Sequence, residues 1–461
     1  MSETLTAVVL AAGRGTRMRS TTPKVLHELG FRPLLGHVLD AAGAAGADDA
    51  LLVVAPDMDA VAAWGEAHQL AARTAIQDPP LGTGHAVMAA RDRLPTTGDV
   101  VVLFADTPFL AGETIGRLVR TRREAEAAVA VLGMELDDAG AYGRLVERAG
   151  RLEAIVEAAQ ADAETRPIRL ANSGVMAFDA ARLPALLDAL APRVARDGNA
   201  EYYLTDAVAA ARGHGWDAVV ARCDPVEGLG VNDRVQLAEA EAIFQDRLRT
   251  RWMRAGVTML DPASVHLAAD VRFGRDVVLE PNVFVGPGVV VEDAVRIRAF
   301  SHLTTDPPKD TKPLVVRTGA VVGPFARLRS GAEVGASAHV GNFVELKNAR
   351  LDEGAKANHL SYLGDCTVGA GSNIGAGTIT CNYDGFAKWQ TTIGRDVFVG
   401  SNATLVAPVT LGDGALIGAG SWVGRDVPEG ASHLARGATD QREDGAERLR
   451  RHLRRRAADR S

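Results

Sequence analysis

Hydrophobic and polar positions follow two different rhythms along this chain of 461 residues. In its first half, short apolar runs alternate with longer stretches of helical period. Ala7-Val8-Val9-Leu10, Ala50 to Ala55 and Val100 to Phe104 are such runs, and Pro33 to Ala44 and Gly84 to Arg93 are helical stretches between them. Buried strands alternating with helices predict an α/β domain, Rossmann-like, whose parallel sheet is covered on both faces. Ligands of such sheets sit beyond the carboxyl ends of the strands.

In the second half, aliphatic residues return every six positions: Val265, Val271, Val277, Val283, Val289 and Val295. The pattern fails across an insertion from Ser301 to Leu314 and resumes at Val322, Leu328, Val334, Val340 and Leu346, then at Val368 and Ile374. After a second insertion it continues at Ile393, Val399, Leu405, Leu411, Ile417 and Val423. A period of six fits neither a helical face nor one long strand; it predicts a left-handed parallel β-helix of hexapeptide repeats, with roughly nine coils. A β-sandwich would need turn signals about every 8–12 residues, which this spacing does not provide.

Between the two rhythms, Asp233 to Ala255 reads as a helix, capped by Asp233, striped by Leu237, Phe244, Leu248 and Trp252, and ended by Gly256. The expected organisation is residues 1–232, a linker helix 233–256, a β-helix 257–436 and a basic tail 437–461. The Arg-rich tail reads as a solvated helix, with a phosphate- or partner-binding strip as the alternative.

A hydrophobic content of 47% and a charged content of 24% are ordinary for a globular chain that buries a core. The formal charge of -7 argues against a nucleic-acid partner. Three cysteines without a close pair, Cys223, Cys366 and Cys381, suit a reducing compartment and exclude a zinc ribbon. No secretory leader or membrane span is visible, so a cytoplasmic protein with no membrane association is expected.

Candidate chemistry begins at Leu10-Ala11-Ala12-Gly13-Arg14-Gly15-Thr16-Arg17-Met18, after the first strand and before Pro23-Lys24. Glycines there let backbone N–H groups approach phosphates, and Arg17 and Lys24 add positive charge. Neither a dinucleotide fingerprint nor a Walker loop is complete. The longer pattern resembles that of the sugar-1-phosphate nucleotidylyltransferases. Gln77 with Leu81-Gly82-Thr83-Gly84 resembles that family's base-reading loop. Asp106 in Phe104-Ala105-Asp106, alone no more than a turn residue, becomes a candidate Mg²⁺ ligand at a strand end beside a phosphate loop. Gly143 in Tyr142-Gly143-Arg144, Glu157, Asn172 and Asn232 complete the resemblance, which makes Asn232 the second Mg²⁺ ligand. The implied reaction is in-line attack of a sugar phosphate on the α-phosphorus of a nucleoside triphosphate, with Mg²⁺, Lys24 and Arg17 neutralising charge.

The β-helix carries polar strings that its repeat does not require: Arg329 in Ala326-Arg327-Leu328-Arg329, Lys347 after Asn342-Phe343-Val344-Glu345-Leu346, His359-Leu360-Ser361-Tyr362-Leu363-Gly364-Asp365, and Asn373 through Ile379-Thr380-Cys381-Asn382-Tyr383-Asp384-Gly385. His359 is read in an interruption of the hexads, where function concentrates. With the N-terminal motifs, these strings resemble the bifunctional N-acetylglucosamine-1-phosphate uridylyltransferase/glucosamine-1-phosphate acetyltransferases over about residues 5 to 436. The resemblance implies that His359 is the general base on the sugar amine, that Asn382 and Tyr383 position it, and that Ser401 donates to the oxyanion. Arg329, Lys347, Tyr362 and Asn373 would hold the sugar phosphate, while Ala376, Ser401, Ala419 and Arg436 would line the acetyl-CoA path. It further implies UTP, glucosamine-1-phosphate and N-acetylglucosamine-1-phosphate as substrates, and a homotrimer built through the β-helix.

Three departures from that family stand out. Ala105 replaces a Gly, which is expected to add a methyl beside the sugar site; Ala158-Ala159 replace a basic position after Glu157; and Ser330 replaces a Pro, with little consequence expected. The alternatives are a one-headed nucleotidylyltransferase with a structural β-helix, and a non-catalytic scaffold. Intact His359, Lys347 and Asn382 speak against the first, and intact Lys24, Asp106 and Asn232 against the second.

Overall fold

Alternating burial places Ala7 and Val9 on one side of the first strand and Val8 on the other, so this strand must be covered on both faces. In the computed structural model, which describes residues 4–70, 72–194, 200–306, 310, 312–435, 446–448 and 450–451, that strand, Leu5–Leu10, lies inside a mixed sheet. Its order is Ala218–Cys223, Val129–Glu135, Leu170–Asp179, Asp99–Phe104, Leu5–Leu10, Asp49–Val54 and Arg73–Ile76. Helices Leu34–Ala44 and Gly112–Glu124 pack on one face, and Gly82–Ala89, Leu183–Asp188 and Ala207–Gly213 on the other.

The sheet corrects the expectation of purely parallel strands. Leu170–Asp179 runs antiparallel to both of its neighbours, while the others pair in parallel. It follows the hairpin Arg144–Arg148 and Arg151–Val156 rather than a crossover helix, and a strand buried on both faces reads equally apolar in either direction. Four carboxyl ends converge at one edge: the Ala11 amide donates to the Val53 carbonyl (2.8 Å), Ala105 to Leu10 (3.1 Å) and Gln77 to Val54 (2.8 Å).

The chain divides into two compact units, Met1–Asp246 and Arg247–Ser461, so the division falls inside the helix Arg234–Arg254. Asp233 Oδ1 caps that helix, accepting from the amides of Val235 (3.0 Å) and Gln236 (2.9 Å). Leu237, Ala240 and Phe244 pack on Leu29, Leu34 and Phe109 in the first unit. In the second, Trp252 meets Phe273 edge-on at 5.2 Å.

The second unit is the left-handed β-helix of hexapeptide repeats, and one of its faces carries ten parallel strands. Most hexads bury two side chains two positions apart, as in Val265 with Leu267, Val277 with Leu279 and Val283 with Val285. The two aliphatic series read from the sequence therefore occupy different positions of the same unit: Val265 and its successors stand just before a strand, or at its first residue in Val289, while Val322 and its successors stand within or at the end of one. The interruption is shorter than expected, because His302–Leu303 and Leu314–Val316 are both regular strands.

His359 likewise does not sit in a loop. It ends the strand Lys356–His359 and stands in register with Asn342. Leu346 pairs with Leu363 and Val340 with Ala357, 17 positions on, where neighbouring coils such as Leu328 to Leu346 take 18. The step is 17 again from Leu351 to Val368 and from Ala357 to Ile374, so two consecutive coils each lack one residue, and this is what breaks the hexad count. In the tail, residues 446–448 and 450–451 are helical and exposed, and the rest of that expectation lies outside the described residues. Among the described residues no helix is long and apolar enough to cross a membrane.

Leu346→Ala removes a fully buried side chain of this stack and is expected to lower the unfolding free energy by about 3 kcal/mol. Arg350→Ala, on the exposed side of the same strand, is expected to change it by less than about 0.5 kcal/mol. Urea titration of the two variants checks the contrast.

Candidate functional sites

In the first unit, the converging strand ends open a cavity of about 350 Å³ lined by Leu10, Ala11, Ala12, Gly13, Lys24, Gln77, Gly82, Thr83, Phe104 and Asp106. Each of these is a site residue expected from the sequence. The ammonium of Lys24 pairs with Asp106 and donates to Asn232 Oδ1 (3.2 Å), to which Arg17 also donates (3.0 Å). Two oxygens thus converge on one cationic nitrogen. Gly15 makes the approach possible: it adopts φ +60, and a Cβ there would lie 2.5 Å from Lys24 Cβ.

Gln77 is buried and donates to the Gly82 carbonyl (3.0 Å), so the loop and the strand end form one rigid wall. Gly82, at φ +93, leaves no room for a Cβ against the Tyr202 carbonyl (2.7 Å). That segment is latched on by Gly84 N to Tyr202 O (2.8 Å) and Tyr202 N to Leu81 O (2.8 Å). It brings two lining residues that sequence reasoning misses, Glu201 and Tyr203. Burial raises the Tyr203 pKa, as does its hydrogen bond to Glu201. The only available signal is the string Glu201-Tyr202-Tyr203-Leu204, aromatic and acidic without helical period.

Gly143, Glu157 and Asn172 do not line that cavity but form a group of their own. The Asn172 backbone N–H donates to Gly143 O (2.8 Å), and a Cβ on Gly143 would lie 3.5 Å from the Glu157 carboxylate. Ala105 corrects an expectation: its methyl is fully buried in the core with Leu103, Leu110 and Ala130, and does not face the site. Ala158 is half-buried and Ala159 exposed.

In the β-helix the predicted residues fall on two adjoining faces. On one, Arg329 pairs with Glu345 (3.1 Å) and Asp306 (3.4 Å), and Lys347 and Tyr362 follow on the next strands. Asn382 bonds Asp365. Asn373 lies on the other face, between Lys356 and Phe398. At the corner between these faces, His359 Nδ1 and Asn342 Oδ1 are 2.8 Å apart beside a cavity of about 250 Å³. The same corner continues upward as a column: the His359 carbonyl accepts from Gly377, Ala376 from Asn402 and Ser401 from Gly420, beside Ala419. Arg436 lies outside the described residues.

The loop after Asn382 adds a residue with no signal in the sequence. The Asp384 carboxylate accepts from the amides of Ala387 (2.7 Å) and Phe386 (2.8 Å) and from the Trp389 indole (2.7 Å); with the Ala387 bond foremost, these hold its pKa down to about 2. So fixed, the loop sets Lys388 against Lys347, and that neighbour, with burial, lowers the Lys347 pKa. Two ammonium groups side by side suit an anion between them. Ser330 also does more than expected. Buried, it accepts from the Asp306 amide (2.9 Å) and donates to the Asp310 carbonyl (3.2 Å), tying two points within the insertion to the coil. Burial pushes the Cys223 and Cys366 thiols up to about 12, so neither is a nucleophile at neutral pH.

Fold and sites together define a two-headed transferase, a nucleotidyltransferase unit followed by a hexapeptide-repeat unit. The MobA-like NTP transferase domain family matches residues 7–174, and the bacterial transferase hexapeptide family (six repeats) matches residues 390–425. The Bifunctional protein GlmU of Paramagnetospirillum magneticum is 47% identical over 451 residues, covering 97% of each chain, and that of Azorhizobium caulinodans is 48% identical over 98% of each. A UDP-glucose pyrophosphorylase structure from Acinetobacter baumanii is 18% identical, with a TM-score of 0.42, over 54% of this chain and 98% of that one. The chain belongs to the bifunctional GlmU family, the enzymes that combine uridylyl and acetyl transfer.

Gly15→Ala is expected to displace Lys24 and lower uridylyl transfer about tenfold or more while acetyl transfer holds. Steady-state assays of the two activities on one preparation check this.

Proposed function

We propose that the β-helix acetylates glucosamine-1-phosphate with acetyl-CoA, and that the N-terminal unit then transfers uridylyl from UTP to the N-acetylglucosamine-1-phosphate formed, releasing pyrophosphate. The observation that carries this reading is the 2.8 Å contact of His359 Nδ1 with Asn342 Oδ1. With that oxygen accepting from Nδ1–H, the neutral ring keeps its lone pair on Nε2, the form a general base needs.

His359 Nε2 would take a proton as the sugar amine adds to the thioester carbonyl. Asn382 and Tyr383 would position the amine, and Ser401 would donate to the oxyanion. As the carbonyl re-forms, the thiolate of coenzyme A would leave with the proton from His359. Arg329, Lys347, Tyr362 and Asn373 would hold the sugar phosphate, and Lys388 joins them on its place beside Lys347. Ala376, Ala419 and Arg436 would line the coenzyme path. Because these residues divide between two faces of one β-helix, a homotrimer with neighbouring β-helices closing each site suits them.

In the first unit Asp106 and Asn232 would hold Mg²⁺, which neutralises phosphate charge when bound. Their oxygens already converge on a cation, as hard donors to Mg²⁺ would, and one carboxylate leaves the remaining positions to phosphates and water. Lys24 would then turn to the triphosphate with Arg17, beside the Leu10–Gly13 backbone. Gln77, Gly82 and Thr83 would read the base, Phe104 and Ala105 would shape the strand end, and Gly143, Glu157 and Asn172 would hold the sugar. Three free cysteines suit a cytoplasmic setting.

His359→Ala is expected to cut acetyl transfer about 10²- to 10⁴-fold and to leave uridylyl transfer on N-acetylglucosamine-1-phosphate intact. Loss of both activities in a folded variant would refute the separation. A second outcome concerns pH. Because the Lys347 pKa is lowered, Lys347 loses its charge at a lower pH than a free lysine, so KM for glucosamine-1-phosphate should climb early on the alkaline side. In Lys388→Gln that rise should move to higher pH, although KM at neutral pH is larger; an unmoved profile would contradict the role of the pair.

A further inference from the structure

Three polar residues stack at one position of successive coils and form a directional chain with Lys312. Lys312 Nζ donates to Asn348 Oδ1 (2.9 Å), Asn348 Nδ2 donates to Asp365 Oδ1 (2.6 Å), and Asn382 Nδ2 donates to Asp365 Oδ2. The pairs Lys347 with Gly364 and Ala349 with Cys366 put Asn348 level with Asp365, and Tyr362 with Ile379 puts Asp365 level with Asn382. Asn348 and Asp365 both adopt the left-handed conformation, at φ 46, so the stack is held against a backbone cost at two consecutive levels.

Direction is dictated by what each group can do. An ammonium only donates, so Asn348 must turn its oxygen to Lys312 and its NH₂ to position 365. A carboxylate only accepts, so Asp365 takes that NH₂ on one oxygen and requires NH₂ from Asn382 on the other. Asn382 Nδ2 makes the contact to Asp365, which leaves Oδ1 as the end of the amide that does not face the carboxylate. The Asn382 amide is therefore fixed in its orientation.

We propose that Asp365 is a positioning residue of acetyl transfer: it fixes which end of the Asn382 amide meets the sugar amine, so that the carbonyl oxygen accepts an amine N–H. The proposal rests on the reading of Asn382 as the contact to the amine. Asp365→Asn keeps the shape of the side chain and reverses the chain's last step. Asn348, still set by Lys312, claims the oxygen of the new amide, whose NH₂ then faces Asn382 and draws the Asn382 oxygen away from the amine. Asp365→Asn also removes a negative charge beside Lys347 and Lys388.

The test uses the full-length chain with glucosamine-1-phosphate and acetyl-CoA, and uridylyl transfer as the reference activity. In Asp365→Asn, kcat for acetyl transfer is expected to fall about tenfold or more, KM for the sugar phosphate to hold or fall, and uridylyl transfer to remain. The double variant Asp365→Asn with Asn382→Asp restores an outward acceptor, since the carboxylate introduced by the second change takes the new NH₂ on one oxygen and offers the other; most of the lost kcat should return. A kcat retained in the single variant, a sugar-phosphate KM that rises in step with the loss, or no recovery in the double variant would overturn the proposal. Acetyl transfer surviving His359→Ala would instead count against the reading of the site itself. Abolition there, with kcat unchanged in Asp365→Asn, would remove only the role of Asp365.

Discussion

The parallel stacking of coils is the constraint on which the second active site depends. A coil cannot bury its aliphatic residues alone, so Val340, Leu346 and Leu363 become interior only because identical positions stand above and below them, about 4.8 Å apart. The same repetition aligns the outward side chains into columns. One column sets His359 beneath Ala376 and Ser401, and another sets Asn348, Asp365 and Asn382 in hydrogen-bonding contact. The geometry of the proposed acetyl-transfer site is a by-product of register, and His359 lies where two consecutive coils are each one residue short.

The first unit reaches its geometry differently. Its strands stop together at one edge of a sheet packed on both faces, and the polar groups sit on the segments just beyond the strand ends: Lys24 after the glycine loop, Asp106 after the central strand, Asn232 at the head of a capped helix. Residues far apart in the chain converge because hydrogen bonds between strand ends leave little freedom in where each loop begins. The Lys24 ammonium holds the Asp106 carboxylate and the Asn232 side-chain oxygen together at one point.

Much of this was legible in the sequence, and for physical reasons. A sixfold period is distinctive because few other folds bury the same positions of every six residues, and the glycine loop is distinctive because Gly15 admits no side chain against Lys24. The features that stayed hidden required knowledge of who stands beside whom. The direction of Leu170–Asp179 is invisible in a strand buried on both faces. The Ala105 methyl points into the core, which composition alone could not tell. Ser330 matters through two backbone partners in the insertion, and Lys388 only becomes a site residue once Asp384 folds its loop against Lys347. Glu201 and Tyr203 reach the cavity at the strand ends through a latch to Leu81 and Gly84 that has no local pattern.

The central claim is that one chain runs two consecutive reactions at two separate sites. It is tested most directly by supplying glucosamine-1-phosphate, UTP and Mg²⁺ with and without acetyl-CoA, and following free coenzyme A and pyrophosphate separately. The account predicts that pyrophosphate appears only when acetyl-CoA is present and lags behind coenzyme A release. Pyrophosphate formed without acetyl-CoA, or coenzyme A released with no pyrophosphate after it, would contradict it.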